Sequence, residues 1–209
     1  MKVAICAYGA GNVRSVELAL RRLGAQTELA AESRPVLDAD LAVLPGVGAA
    51  RSAMAGLRAR GLDEALRERA KAGRPILGVC LGLQLALDES EEDGGVAGLG
   101  LVPGRAVRLR EGRVPRIGWA PVEPGGETYW FAHSYAAETD AAVATSEGIV
   151  AVVESGSFLG VQFHPEKSGA AGARFLGAVL RDLRRVDRSF QTDGRAEPVR
   201  PGGGAASGA

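Results

Sequence analysis

Three short apolar runs, each closed by a glycine-bearing turn and followed by a helical pattern, constrain most what this chain can fold into. Lys2–Ala7 (K-V-A-I-C-A), Leu41–Leu44 and Pro75–Val79 show no polar alternation, as expected of strands buried on both faces of a parallel sheet. The turns behind them are Tyr8-Gly9-Ala10-Gly11-Asn12, Pro45-Gly46-Val47-Gly48 and Cys80-Leu81-Gly82. Helical spacing then predicts helices over Val13–Leu23, Ala50–Arg60, Leu62–Ala72 and Leu81–Asp88, and Gln26–Ala30 is a further short strand. Strands alternating with helices predict an α/β fold with a doubly wound, mostly parallel sheet. Such sheets bind ligands at the carboxyl ends of their strands, where all three turns fall.

Beyond Ser90 the texture changes. Glu91–Gly100 is an acidic, glycine-rich loop, and Leu101–Leu109, Arg113–Trp119, Thr128–His133, Ala142–Thr145, Ile149–Glu154 and Ser157–Phe163 read as short strands. This strand-rich C-terminal half is expected to extend the sheet. Ser168–Val186 is an amphipathic helix that closes it. The domain is therefore placed at residues 1–186 and a flexible tail at 187–209, where the apolar pattern stops. The 25 acidic and 25 basic residues balance, which gives no electrostatic reason to expect nucleic acid or a membrane surface. Two cysteines cannot build a disulfide framework. With no apolar leader or bilayer-length apolar run, the chain reads as soluble and cytoplasmic.

Two stretches carry chemistry. Arg74–Gly82 (R-P-I-L-G-V-C-L-G) has the form of a nucleophile elbow, a sharp strand-to-helix turn with Cys80 at its tip. A thiol there faces a helix N-terminus, which favours thiolate, although a buried cysteine is also an ordinary small hydrophobe. Gly160–Glu166 (G-V-Q-F-H-P-E) supplies the rest. In extended chain, residues two apart share a face, so His164 and Glu166 can meet as base and orienting carboxylate. Gly9 and Gly11 form only part of a dinucleotide fingerprint, and no cofactor or metal is expected.

G-V-C-L-G with G-V-Q-F-H-P-E resembles the class I (triad) glutamine amidotransferases, a family of flavodoxin-like fold. The resemblance implies hydrolysis of L-glutamine by a triad of Cys80, His164 and Glu166. It also implies backbone oxyanion donors at Leu81 and at Val47 or Gly48 of the Pro45–Gly48 strand. Gly46, Gln84, His133, Ser134 and Tyr135 look like that family's glutamine-binding positions. For Gln84 alone, a solvated helix residue is the plainer reading. Tyr8–Asn12, Val114–Trp119 and Phe131–Tyr135 narrow the likeness to glutaminase subunits of imidazole glycerol phosphate synthases in histidine biosynthesis. That implies a heterodimer with a (β/α)-barrel cyclase that receives the ammonia. Asn12, Trp119 and Lys167, beside the active-site motifs, are the interface and ammonia-gate candidates.

The chain departs from the pattern at Ala7, where aspartate is usual, at Arg116-Ile117 in place of His-Met, and at Ala136, where a second tyrosine is common. None of these touches the triad. Two other readings stay open at this point: a glutaminase serving anthranilate, carbamoyl phosphate, guanylate or pyridoxal phosphate synthesis, and a non-catalytic scaffold of the same fold.

Overall fold

Val3 and Ile5 point to one face of the first strand and Ala4 and Cys6 to the other, and all four are buried. The same two-sided burial recurs along the central sheet, so helices must cover both faces. The computed structural model describes residues 1–9 and 13–192, with side chains through residue 182. The first half contains β1 (Lys2–Cys6), α1 (Val13–Arg22), β2 (Gln26–Ala30), α2 (Ser33–Asp38), β3 (Leu41–Leu44), α3 (Ala50–Arg58), α4 (Leu62–Lys71), β4 (Ile76–Val79) and α5 (Leu81–Ala86). The second half adds β5 (Glu89–Ser90), β6 (Val96–Ala97), β7 (Arg105–Arg108), β8 (Arg116–Val122), β9 (Glu127–His133) and β10 (Tyr135–Glu138). It ends with β11 (Ala142–Ser146), β12 (Ile149–Ser155), β13 (Phe158–Val161) and α6 (Gly169–Thr192).

The seven-stranded central sheet has the order β11-β12-β13-β4-β3-β1-β2. From β2 through β13 the neighbours run parallel, and β12 and β11 continue the edge antiparallel. The order 2-1-3-4 is the flavodoxin-like arrangement with its switch point beside β1. One face is covered by α1, α6 and aromatic side chains, the other by α2, α3, α4 and α5.

Only β11, β12 and β13 extend the central sheet, which corrects the expectation for the second half. β8 and β9 pair with each other from Arg116↔His133 to Val122↔Glu127, and β5, β6, β7 and β10 form a small separate sheet. The hairpin lies over the sheet rather than at its edge, and its aromatics Tyr129 and Phe131 pack on Phe163. Tyr129 stacks on Phe163 at 4.0 Å between ring centroids, and Phe163 meets Phe175 of α6 edge-on at 5.4 Å.

Two elements differ from expectation. Helix α2 carries a proline in its first turn, where no helical N–H is lost. The carbonyls in and just after its last turn are capped from elsewhere: Arg69 donates to Val36, Ala39 and Asp40 at 2.7–2.8 Å, with a further bond to Pro75 before β4, and Arg74 donates to Leu37 and Ala39. Helix α6 runs six residues past Val186, so residues 187–192 of the expected tail are helical. The remainder, 193–209, lies outside the described residues. Among the described residues no helix is long and apolar enough to cross a membrane.

Candidate active site

The backbone turns sharply where β4 ends. Cys80 sits at φ 52°, ψ −107°, a conformation costing a non-glycine residue about 1–3 kcal/mol. The surroundings impose it. The Cys80 N–H donates to the Val161 carbonyl at 2.7 Å, and its own carbonyl accepts from Leu83 at 3.0 Å. Gly82 lets the turn press on the end of β3, since a Cβ there would lie 1.8 Å from the Leu44 oxygen. The helix behind the elbow is only the six residues Leu81–Ala86. It ends two residues before the expected Asp88, so its dipole is correspondingly small.

β13, the neighbour of β4, delivers the second part. His164 Nδ1 lies 2.9 Å from Glu166 Oε1, and both side chains are buried. Cys80 lies close enough to the ring for its sulfur to act on the imidazole's charge. Burial by itself would lower the His164 pKa, but the interactions with Cys80 and Glu166 outweigh it and raise it from 6.5 to about 9. The segment is stitched to the hairpin: His164 N–H donates to the Trp130 carbonyl at 2.8 Å, and Trp130 N–H to Ser168 Oγ at 2.9 Å. Ser168 was not singled out in the sequence, although it follows the motif by two residues.

A cavity of about 210 Å³ opens onto Cys80. Val47, Gly48 and Leu81, the expected oxyanion positions, line it, and so do Gln84, His133, Ser134 and Tyr135. Gln84 is buried rather than solvated, because its Nε2 donates to the Tyr135 carbonyl at 2.7 Å. Gly46 does not line this cavity. A Cβ on Gly46 would meet the Tyr8 hydroxyl at 2.7 Å and Leu81 Cβ at 2.8 Å, so the residue serves close packing. It borders a smaller void behind the site, shared with His164 and Glu166. The Tyr8 hydroxyl donates to the Pro45 carbonyl at 2.5 Å, which pins the start of the two-glycine strand, and Gly48 then takes φ +105°.

Three features were not legible in the sequence. Glu92, from the acidic loop, lines the cavity while its Oε2 accepts the Ala50 N–H at 2.7 Å. Gln162 is fully buried and donates to Cys80 Sγ at 3.6 Å. Arg116 lies 4.3 Å over the Phe131 ring and pairs with Glu147 at 2.9 Å, tying the hairpin to the sheet edge. Among the described residues no group of three or more His, Cys, Asp or Glu side chains is arranged to hold a metal ion. Of the interface candidates, Trp119 is exposed on β8 beside the cavity wall, Lys167 is exposed next to Glu166, and Asn12 lies outside the described residues.

His133 contrasts with His164. Burial is the main cause that lowers its pKa to about 4, with Arg116 and His164 adding to it, against a bond to the Tyr135 carbonyl. These are the chain's two histidines, so an NMR titration resolves them directly. The expected result is one imidazole protonated up to about pH 9 and the other neutral down to about pH 4. A midpoint near 6.5 for either would contradict this site geometry.

The chain is similar in sequence and fold to known proteins. A sequence profile of the class-I glutamine amidotransferases matches residues 5–180. The chain is 45% identical over 203 residues to the imidazole glycerol phosphate synthase subunit HisH of Symbiobacterium thermophilum, covering 87% of this chain and 96% of that one. It is also 45% identical over 190 residues to the HisH of Methanothermobacter thermautotrophicus, covering 83% and 95%. Among solved structures, a glutamine amidotransferase superposes with a TM-score of 0.73 at 19% identity, over 88% of this chain and 97% of that one. The chain belongs to the class-I glutamine amidotransferase family.

Proposed function

We propose that this chain is the glutaminase subunit of an imidazole glycerol phosphate synthase, hydrolysing L-glutamine and passing ammonia to a cyclase subunit for histidine biosynthesis. The observation that carries the chemistry is the buried His164–Glu166 pair acting on Cys80, which itself lines a cavity of about 210 Å³.

In this reading the Cys80 thiolate attacks the side-chain amide carbon of glutamine and forms a tetrahedral intermediate. The developing oxyanion takes N–H groups from Leu81 and from Val47 or Gly48. Protonated His164 gives its proton to the departing nitrogen, and ammonia leaves a γ-glutamyl thioester on Cys80. Neutral His164 then removes a proton from water, the hydroxide adds to the thioester, and glutamate departs as the thiolate returns. Glu166 fixes the ring by Nδ1, so that Nε2 faces the sulfur, and stabilises the imidazolium. Gln84, His133, Ser134 and Tyr135 hold the substrate, and the Glu92 carboxylate is the group suited to its α-ammonium.

The partner reading rests on the HisH relatives and on the hairpin. Ile117 and Trp119, two apart on β8, are 62% and 56% exposed. They form an apolar face continuous with the cavity wall at Pro115 and Ile117. A face of this kind beside a mouth that must hand on ammonia suits a protein partner better than water. Together with Trp119, Lys167 and Asn12 are the proposed contacts. This reading places the enzyme in the cytoplasm, where such biosynthetic chemistry belongs. The test is ammonia release with and without a (β/α)-barrel cyclase and its nucleotide ligand. We expect stimulation of at least about tenfold, because one oxyanion donor is worth about 10²–10³ in rate and the strand that supplies it carries Gly48 at positive φ, a position where the peptide plane can turn at little steric cost. Full activity of the isolated chain would refute partner gating. Stimulation by an anthranilate or guanylate synthase component instead would reassign the partner.

A further inference from the structure

We infer that Gln162 is a working part of the nucleophile: its side-chain amide donates a hydrogen bond to Cys80 Sγ and holds the sulfur as an acceptor, ready for attack. The inference rests on the glutaminase reading above. The resemblance gives Gln162 no role.

Gln162 follows β13 directly and is 0% exposed. A buried amide in that position must place both its ends. Its Oε1 accepts from Gln84 Nε2 at 3.2 Å, and its Nε2 lies 3.6 Å from Cys80 Sγ, within range for N–H···S. Which end faces the sulfur is decided two residues away. The Tyr135 carbonyl can only accept, so Gln84 presents its NH₂ there, at 2.7 Å. The same NH₂ meets Gln162, which must answer with its oxygen. The Gln162 NH₂ is then left for Cys80, and an NH₂ group can only donate. The His133 Nδ1 bond to the same Tyr135 carbonyl, at 2.9 Å, holds the far end of the chain. The order carbonyl, Gln84, Gln162, Sγ therefore has a single polarity.

A donor aimed at sulfur favours the state with more negative charge on it. Other ionisable groups also face this sulfur. His164 acts on it with Glu166 behind, Tyr8 is close enough to feel its charge, and His133, Tyr135 and Glu92 share its cavity. Among these, Gln162 contributes a neutral donor whose direction does not change with pH.

The test is the pH profile of Cys80 alkylation by iodoacetamide in a Cys6→Ala background, where Cys80 is the remaining thiol. We expect Gln162→Met to move the profile to higher pH by about one unit, the size of a lost charge-assisted hydrogen bond. Alkylation near neutral pH should then be about tenfold slower. Gln162→Leu carries the same prediction and replaces the methionine variant should that one not fold, as judged by its melting transition. A profile that coincides with the parent's in either folded variant overturns the inference. Alkylation needs no glutamine, so a wild-type chain that releases no ammonia with its partner would refute the glutaminase reading, while the profile still reports on Gln162.

Discussion

Cys80→Ala is expected to lower ammonia release from glutamine about 10⁴-fold or more in the complex with the cyclase, without unfolding the chain. Alanine keeps the Cβ and tolerates the elbow backbone no worse than cysteine does, and the main-chain hydrogen bonds of residue 80, its N–H to the Val161 carbonyl and its carbonyl from the Leu83 N–H, remain. What is lost is the atom that forms the thioester. Because His164 and Glu166 act only through that atom, a Cys80→Ala/His164→Ala double variant should be no slower than Cys80→Ala alone. If the second substitution instead costs a further factor comparable to the first, the residues do not work as a unit. Binding of glutamine should survive, since Gln84, Glu92 and Ser134 line the cavity independently of the sulfur.

The largest stability effect is expected far from the chemistry, at Arg69. This side chain is fully buried, and its guanidinium is spent on four backbone carbonyls: Val36, Ala39, Asp40 and Pro75. Burial even pulls its pKa down to about 10. Arg69→Met retains most of the apolar stem but takes the guanidinium from the Val36 and Asp40 carbonyls, while Arg74 still reaches Ala39 and the Ala42 N–H still reaches Pro75. Each unsatisfied buried group costs about 1–3 kcal/mol. Partial relaxation makes about 4 kcal/mol the expected total, a fall of about 10 °C in melting temperature for a chain of this size. Denaturant titration measures it. A loss below about 1 kcal/mol would mean that water replaces the guanidinium and that α2 does not depend on it.

The same residue shows why some of the fold could not be read from the sequence. β1, β3 and β4 were legible because burial on both faces writes an unbroken apolar run. The elbow was legible because its glycines are local. Helix α2 was not, since the groups that cap its carbonyls come from Arg69 and Arg74, more than 30 residues away. The hairpin's separation from the sheet was equally hidden, being decided by where Tyr129 and Phe131 find Phe163. In the site, Cys80, His164 and Glu166 stand out by motif and by the two-residue alternation of extended chain. Gln162 shares that alternation, but nothing in it tells that the side chain meets Cys80 rather than the core. Glu92 had no such signal, because an acidic loop becomes a cavity wall only once Ala50 holds its carboxylate. Gly46 shows the opposite: proximity to Val47 in sequence hid how closely its Cα packs against Tyr8 and Leu81.

The account stands or falls on a covalent bond at Cys80. Mixing the complex with glutamine, quenching in acid within a turnover and mapping peptides by mass spectrometry tests it directly. The predicted result is a γ-glutamyl group on the peptide carrying Cys80 and none on the Cys6 peptide. Sustained release of glutamate with no adduct at Cys80, under conditions that preserve thioesters, would contradict the mechanism proposed for this elbow.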